Sequence, residues 1–401
     1  MSFPTVRALG LFGVPLALLP LTPESPVLAA LVLVTYVALL RGAADTVRPS
    51  KGALVYASVS ALYLCFALFA SLPTSDYGLQ KVLFVLLIIL PFAIMVSSLI
   101  REPDDIRYIL YGALSLGVIV AAGTSLTLNR DFLGPERYQW LGNICAFAAV
   151  IALQGWVVKR KLMIGAIFLL TLAGVAISAA RQSVVLLAIG WIVILFVRMG
   201  DARRALGYIC ISLITIGLLV TQIDRIVQLP IAAVMVERLG VLVPSTGGFT
   251  LLQRGLLFQK AWNCYVAHPF TGVGIGHYAD FPGYTAEMTG DVHAYPHNIV
   301  LEVLCEQGTI GFVILLLPLV VAAWTMFRLG SLRSGEPYVG ALILFTLAAT
   351  TAGITGDLMS RPIWIYGILM IRLTMLRPPE LALPQPPERA PSLITASSND
   401  A

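Results

Sequence analysis

Apolar runs near residues 6–21, 26–40, 52–72, 82–100, 109–128, 140–158, 162–180, 182–197, 206–222, 308–327, 338–356 and 362–376 dominate this chain. Most approach the ~20 residues that an α-helix needs to cross a ~30 Å hydrocarbon layer. None alternates with the period of two expected of a barrel strand, and a backbone in lipid satisfies its own polar groups only as a helix or a closed barrel. The fold class is therefore an all-α polytopic membrane protein with about 12 transmembrane helices. A mean hydropathy of +0.88 and 58% hydrophobic residues exclude an ordinary soluble domain. The first run follows a single basic residue, Arg7, and its close pairing with the second predicts a retained hairpin rather than a signal peptide.

The basic residues set the orientation. With the N-terminus inside, alternate loops place 17 of the 26 Lys and Arg residues on the inner face. The other nine are Lys81, Arg130, Arg137, Arg181, Arg225, Arg238, Arg254, Lys260 and Arg361. This bias puts both termini inside and divides the chain into helices 1–9 in residues 1–222, an outer loop at 223–297, helices 10–12 in 298–376, and a proline-broken tail at 377–401 expected to be disordered. Within the outer loop, helices are expected around 231–239 and 250–267. Apolar faces such as Leu252, Leu256 and Tyr265 would lie on the membrane. The net charge of +5 reflects inward-facing loops rather than a nucleic-acid surface.

Residues 293–312, HAYPHNIVLEVLCEQGTIGF, hold two of the four histidines together with two glutamates at the edge of an apolar run. Ionisable groups there are costly, which marks a functional centre. An interfacial helix start facing headgroups is the alternative. A helix beginning near Asn298, after Pro296, places Glu302 and Glu306 on one face and Leu301 and Cys305 on the next. Gly308 and Gly311 would let another helix approach. His297, at the helix mouth, suits a general base, because a neutral imidazole accepts a proton from an attacking hydroxyl. Arg181 interrupts the uncharged residues 162–197, so it belongs in a tight outer turn, as a ligand or as an anchor on lipid phosphates. Arg254 lies in an outer-loop helix. Two guanidinium forks would suit a pyrophosphate.

The negative evidence is also informative. No Walker loop, strand-to-helix GxGxxG, HExxH or CxxC occurs, and GVGIG at 272–276 reads as a turn. The five cysteines have no metal-like spacing and mostly fall in apolar runs, which argues against a zinc site or a disulfide framework. The expected site is built from His, Arg and Glu, with no metal and no cofactor.

HPFTGVGIGHY followed by HNIVLEVLCEQGTIG resembles the paired signature of the O-antigen ligase and polymerase superfamily of bacterial inner-membrane proteins. His268, Pro269, Gly272, Gly274 and Gly276 match its first part. His297, Asn298, Leu301, Glu302, Glu306, Gly308 and Gly311 match its second. The resemblance implies a type C glycosyltransferase-like fold and transfer of a glycan from undecaprenyl pyrophosphate to lipid A-core at a periplasmic site. By position, His297, Arg181 and Arg254 match the family's essential residues, Glu302 and Glu306 join them as catalytic candidates, and Asn298, His268 and Gly274 as substrate-binding ones. The alternatives are an O-antigen or exopolysaccharide polymerase, a protein glycan transferase, and a lipid-linked glycan transporter. A transporter would carry ionisable residues in mid-span.

Overall fold

The computed structural model describes residues 3–18, 76–127, 138–178, 180–199, 244–283, 295–328, 336–356 and 360–376, together with positions 58 and 66. In chain order the helices are α1 (Phe3–Ala17), α2 (Asp76–Phe84), α3 (Leu90–Leu99), α4 (Ile106–Thr127), α5 (Tyr138–Lys159) and α6 (Leu162–Ser178). They continue as α7 (Arg181–Met199), α8 (Pro244–Ala267), α9 (Ile299–Leu315), α10 (Leu317–Arg328), α11 (Glu336–Ile354) and α12 (Arg361–Met375). No strand occurs among the described residues. A π-helical turn, Val85–Ile89, joins α2 to α3 just ahead of Pro91, which cannot supply the next backbone donor.

Among the described residues, five stretches are long and apolar enough to cross a membrane: Asp76–Leu99, Pro103–Thr127, Tyr138–Lys159, Ile299–Met326 and Glu336–Ile354. The helices α1, α6 and α7 are shorter apolar ones. The runs expected at 26–40 and 206–222, that at 52–72 apart from positions 58 and 66, the helix at 231–239 and the tail at 377–401 lie outside the described residues.

Small residues bring the helices close. Gly112 of α4 abuts Phe12 of α1, and Gly174 of α6 meets Cys145 of α5. Around these crossings a continuous apolar core runs through α1, α3, α4, α5, α11 and α12. Its two ends differ in chemistry. At one end Arg7 pairs with Asp105 at 2.9 Å, Lys159 pairs with Glu336 at 3.4 Å, and Arg372 Nε donates to the Ile100 carbonyl at 3.0 Å. At the other end α5, α7, α9 and α12 begin and α11 finishes, and there the candidate site lies.

The buried face of α8 is Leu257, Lys260, Ala261 and Cys264, and Leu256 and Tyr265 are half-buried. Cys264 also forms a disulfide with Cys305, Cα to Cα 5.3 Å across 41 residues, contrary to the argument from spacing. The pairing is invisible in the sequence because it depends on the loop folding α8 back onto α9. Leu257, Ala261, Tyr278 and the disulfide form a second, small core with Leu301.

Candidate active site

The HPFTGVGIG segment explains α9. At Gly308 the backbone leaves helical geometry, with φ +65°. In an unbroken helix the carbonyls of Cys305 and Glu306 would accept from residues 309 and 310. Here they accept instead from the Val273 and Gly274 N–H groups, at 3.0 and 2.9 Å. The freed N–H groups of Thr309 and Ile310 donate to Pro269 and Phe270 carbonyls, at 2.8 and 3.2 Å. A broken membrane helix is tolerable when protein restores its hydrogen bonds in this way. A Cβ at Gly308 would strike the Phe270 backbone, and one at Gly272 (φ +69°) the Glu306 and Gln307 backbone. Gly308 therefore admits a loop, not the neighbouring helix that the sequence suggested, and a Cβ at Gly311 would meet the Gln307 side chain of the same helix.

The same loop is held by Lys260, which is buried and donates to the Ala279 carbonyl at 3.0 Å with its ammonium 4.9 Å from the Tyr278 ring. Burial lowers the Lys260 pKa, an effect that Asp280 partly offsets. Burial first, and then the Glu306 charge, raises that of Tyr278, whose hydroxyl donates to Leu257 O.

His297 sits on the turn that opens α9 and has φ +53°, a left-handed conformation that non-glycine residues seldom adopt. Its ring centroid lies 4.2 Å from that of Tyr295. Asn298 caps the helix, accepting from the Val300 and Leu301 N–H groups at 3.0 and 3.1 Å. Its amide also donates to Gly353 O at 2.8 Å, which ties the turn to α11. Both ends of this side chain, expected at the substrate, are thus engaged with protein.

His297 lines a cavity of about 530 Å³ with Arg254 of α8 and Arg361 of α12, joined by Gln139, Asn143 and Gln182 of α5 and α7. Arg181, half-buried, opens α7 immediately before Gln182 but does not itself line the cavity. Neither does Glu302 or Glu306, and both are fully buried. Their carboxylates converge instead on Lys81 of α2, whose ammonium contacts Glu302 and lies 2.9 and 3.0 Å from the two Glu306 oxygens. Tyr77 places its ring 4.5 Å from the same ammonium. Gly274 is spent on the break in α9, and His268 stands edge-on to Phe281 at 6.5 Å, both away from the cavity lining.

Lys81, Arg361 and the amides were not singled out from sequence. Lys81 and Arg361 did leave a trace, as basic residues on the outer side of the positive-inside count. Isolated Gln and Asn residues at helix starts leave none.

Residues 165–316 match the family model described as O-Antigen ligase. That stretch is similar to the O-antigen ligase family. It runs from α6 through α9, so it holds Arg181, Arg254, His297 and both glutamates, while Lys81, Asn143 and Arg361 come from outside it. No match is found among curated proteins.

Proposed function

We propose that this membrane protein transfers a glycan from a polyprenyl pyrophosphate, undecaprenyl pyrophosphate in bacteria, to a sugar hydroxyl of lipid A-core. The observation that carries this reading is the cavity shared by Arg254, Arg361 and His297, which come from three separate parts of the chain. Arg254 and Arg361 hold the two phosphates, with Arg181 adding positive charge beside them. His297 takes the proton of the acceptor hydroxyl as its oxygen attacks the anomeric carbon. The bond from that carbon to the phosphate oxygen breaks, and polyprenyl pyrophosphate leaves with the electron pair, its growing charge met by the guanidinium groups. Glu302 and Glu306 act through Lys81, by fixing α9 beneath the histidine.

The positive-inside bias supports both termini in the cytoplasm and the cavity on the periplasmic face of the inner membrane. A disulfide between α8 and α9 supports this, since such bonds persist in oxidising compartments. A polymerase, the runner-up, would use the same arginines and histidine on a growing glycan as acceptor.

The test is surface glycan in a deletion strain complemented with variants. H297A should lower transfer by about 10² to 10⁴, and R254A by about 10² to 10³. Lipid-linked chains of normal length distribution should then accumulate above bare core. Single repeat units on the core would instead mark a polymerase, and full surface glycan with H297A would refute the mechanism.

A further inference from the structure

The cavity lining combines two chemistries. Arg254 and Arg361, with His297, come from α8, α12 and the turn before α9. The side chains from α5, α7 and α11 include polar groups without charge: Gln139, Asn143, Gln182, Thr351 and Thr355. Part of this wall is locked by its own hydrogen bonds. Gln182 is engaged at both ends, its Nε2 donating to Thr355 Oγ1 at 3.0 Å and to Thr351 O at 3.4 Å and its Oε1 accepting from Thr355 Oγ1 at 3.2 Å, and Ser183 Oγ donates to Asn143 Oδ1 at 3.1 Å. Those bonds fix the two amides in place. Asn143 keeps its NH₂ group for the cavity, and Gln139, whose amide reaches only the Tyr138 hydroxyl at 3.4 Å, keeps its carbonyl.

The Trp140 indole adds an aromatic surface to this wall. It also lines the adjoining apolar crevice, of about 80 Å³, with Pro15, Phe147 and Tyr366. Fixed neutral amides offer donors and acceptors together and match hydroxyl or acetamido groups. They suit a phosphate less well than the arginines of the same cavity, and a prenyl chain not at all.

We infer that the α5–α7 wall is a sugar subsite, in which Gln139 and Asn143 hold the sugar bonded to the pyrophosphate and Trp140 backs its apolar face. The inference rests on the donor reading above and adds to it a site that selects the first sugar, independent of the pyrophosphate grip. In that arrangement the anomeric carbon lies between the amides and the arginines, within reach of a hydroxyl delivered at His297. Substrates would be discriminated at this sugar because a mismatched ring leaves the fixed amides unpaired.

The experiment measures the affinity of the full-length protein in detergent for two probes: farnesyl pyrophosphate, which carries no sugar, and a polyprenyl pyrophosphate bearing one N-acetylated sugar. The wild type should prefer the second. Q139A/N143A should lose about tenfold or more of that preference while binding farnesyl pyrophosphate as the wild type does. Unchanged farnesyl pyrophosphate binding also shows that the variant is folded. R254A should weaken both probes alike. If R254A weakens both but Q139A/N143A retains the full preference, the sugar subsite is wrong and the donor reading stands. If R254A leaves farnesyl pyrophosphate binding untouched, the donor reading fails and takes the subsite with it.

Discussion

His297 combines reactivity with backbone strain. A left-handed residue other than glycine costs on the order of 1–3 kcal/mol, and it persists only where the surroundings enforce it. Here they do so through the Tyr295 ring on one side and the Asn298 cap tied to Gly353 on the other. Beneath it, the Lys81 cluster is a second buried investment. Removing the ammonium from a buried ion cluster typically costs about 3–5 kcal/mol, whereas replacing all partners by apolar residues of similar length is close to neutral. K81M should therefore melt well below the wild type, and K81M/E302M/E306M should regain most of that stability together with transfer activity, because neither carboxylate lines the cavity. A triple variant that is stable yet inactive would return the glutamates to the chemistry. Transfer measured beside thermal melting separates the two outcomes.

Among the elements, α9 shows what sequence could and could not convey. Its start at Asn298 and the shared face of Glu302 and Glu306 follow from a proline, a cap residue and a four-residue spacing, all local, and the structure has them. What fills that face was hidden, because Lys81 lies more than 200 residues away and reaches Glu302 only through tertiary packing. The glycines of the motif were legible as sites of close approach, but not the identity of what approaches. A loop that takes over two rungs of a helix has no periodicity to read. The disulfide was missed for the same reason. Closing a loop of 41 residues, it should contribute about 2–4 kcal/mol in the chain-entropy account. C264S should accordingly lower the melting temperature and free Cys305 for maleimide after denaturation. A wild-type protein whose Cys264 and Cys305 both react without prior reduction would show that the bond does not form.

Across the molecule, function separates to one end of the helical assembly. Ion pairs such as Arg7–Asp105 and Lys159–Glu336 occupy the far end, and the cavity gathers the starts of α5, α7 and α12 at the other. The apolar runs and the count of basic residues made this polarity readable, since both register the solvent each segment meets. The membership of the cavity was only half readable: Arg254 and His297 stand out as ionisable groups in apolar surroundings, whereas Gln139 and Asn143 look like any polar residues at a helix start. The central claim is that Arg254 grips the donor in the cavity where His297 activates the acceptor. The most direct measurement is transfer by the purified protein in lipid nanodiscs, with donor binding recorded on the same samples. H297A should bind the polyprenyl-pyrophosphate donor with wild-type affinity and fail to transfer its glycan, while R254A should lose donor binding itself. Wild-type rates of transfer from either variant would contradict the account.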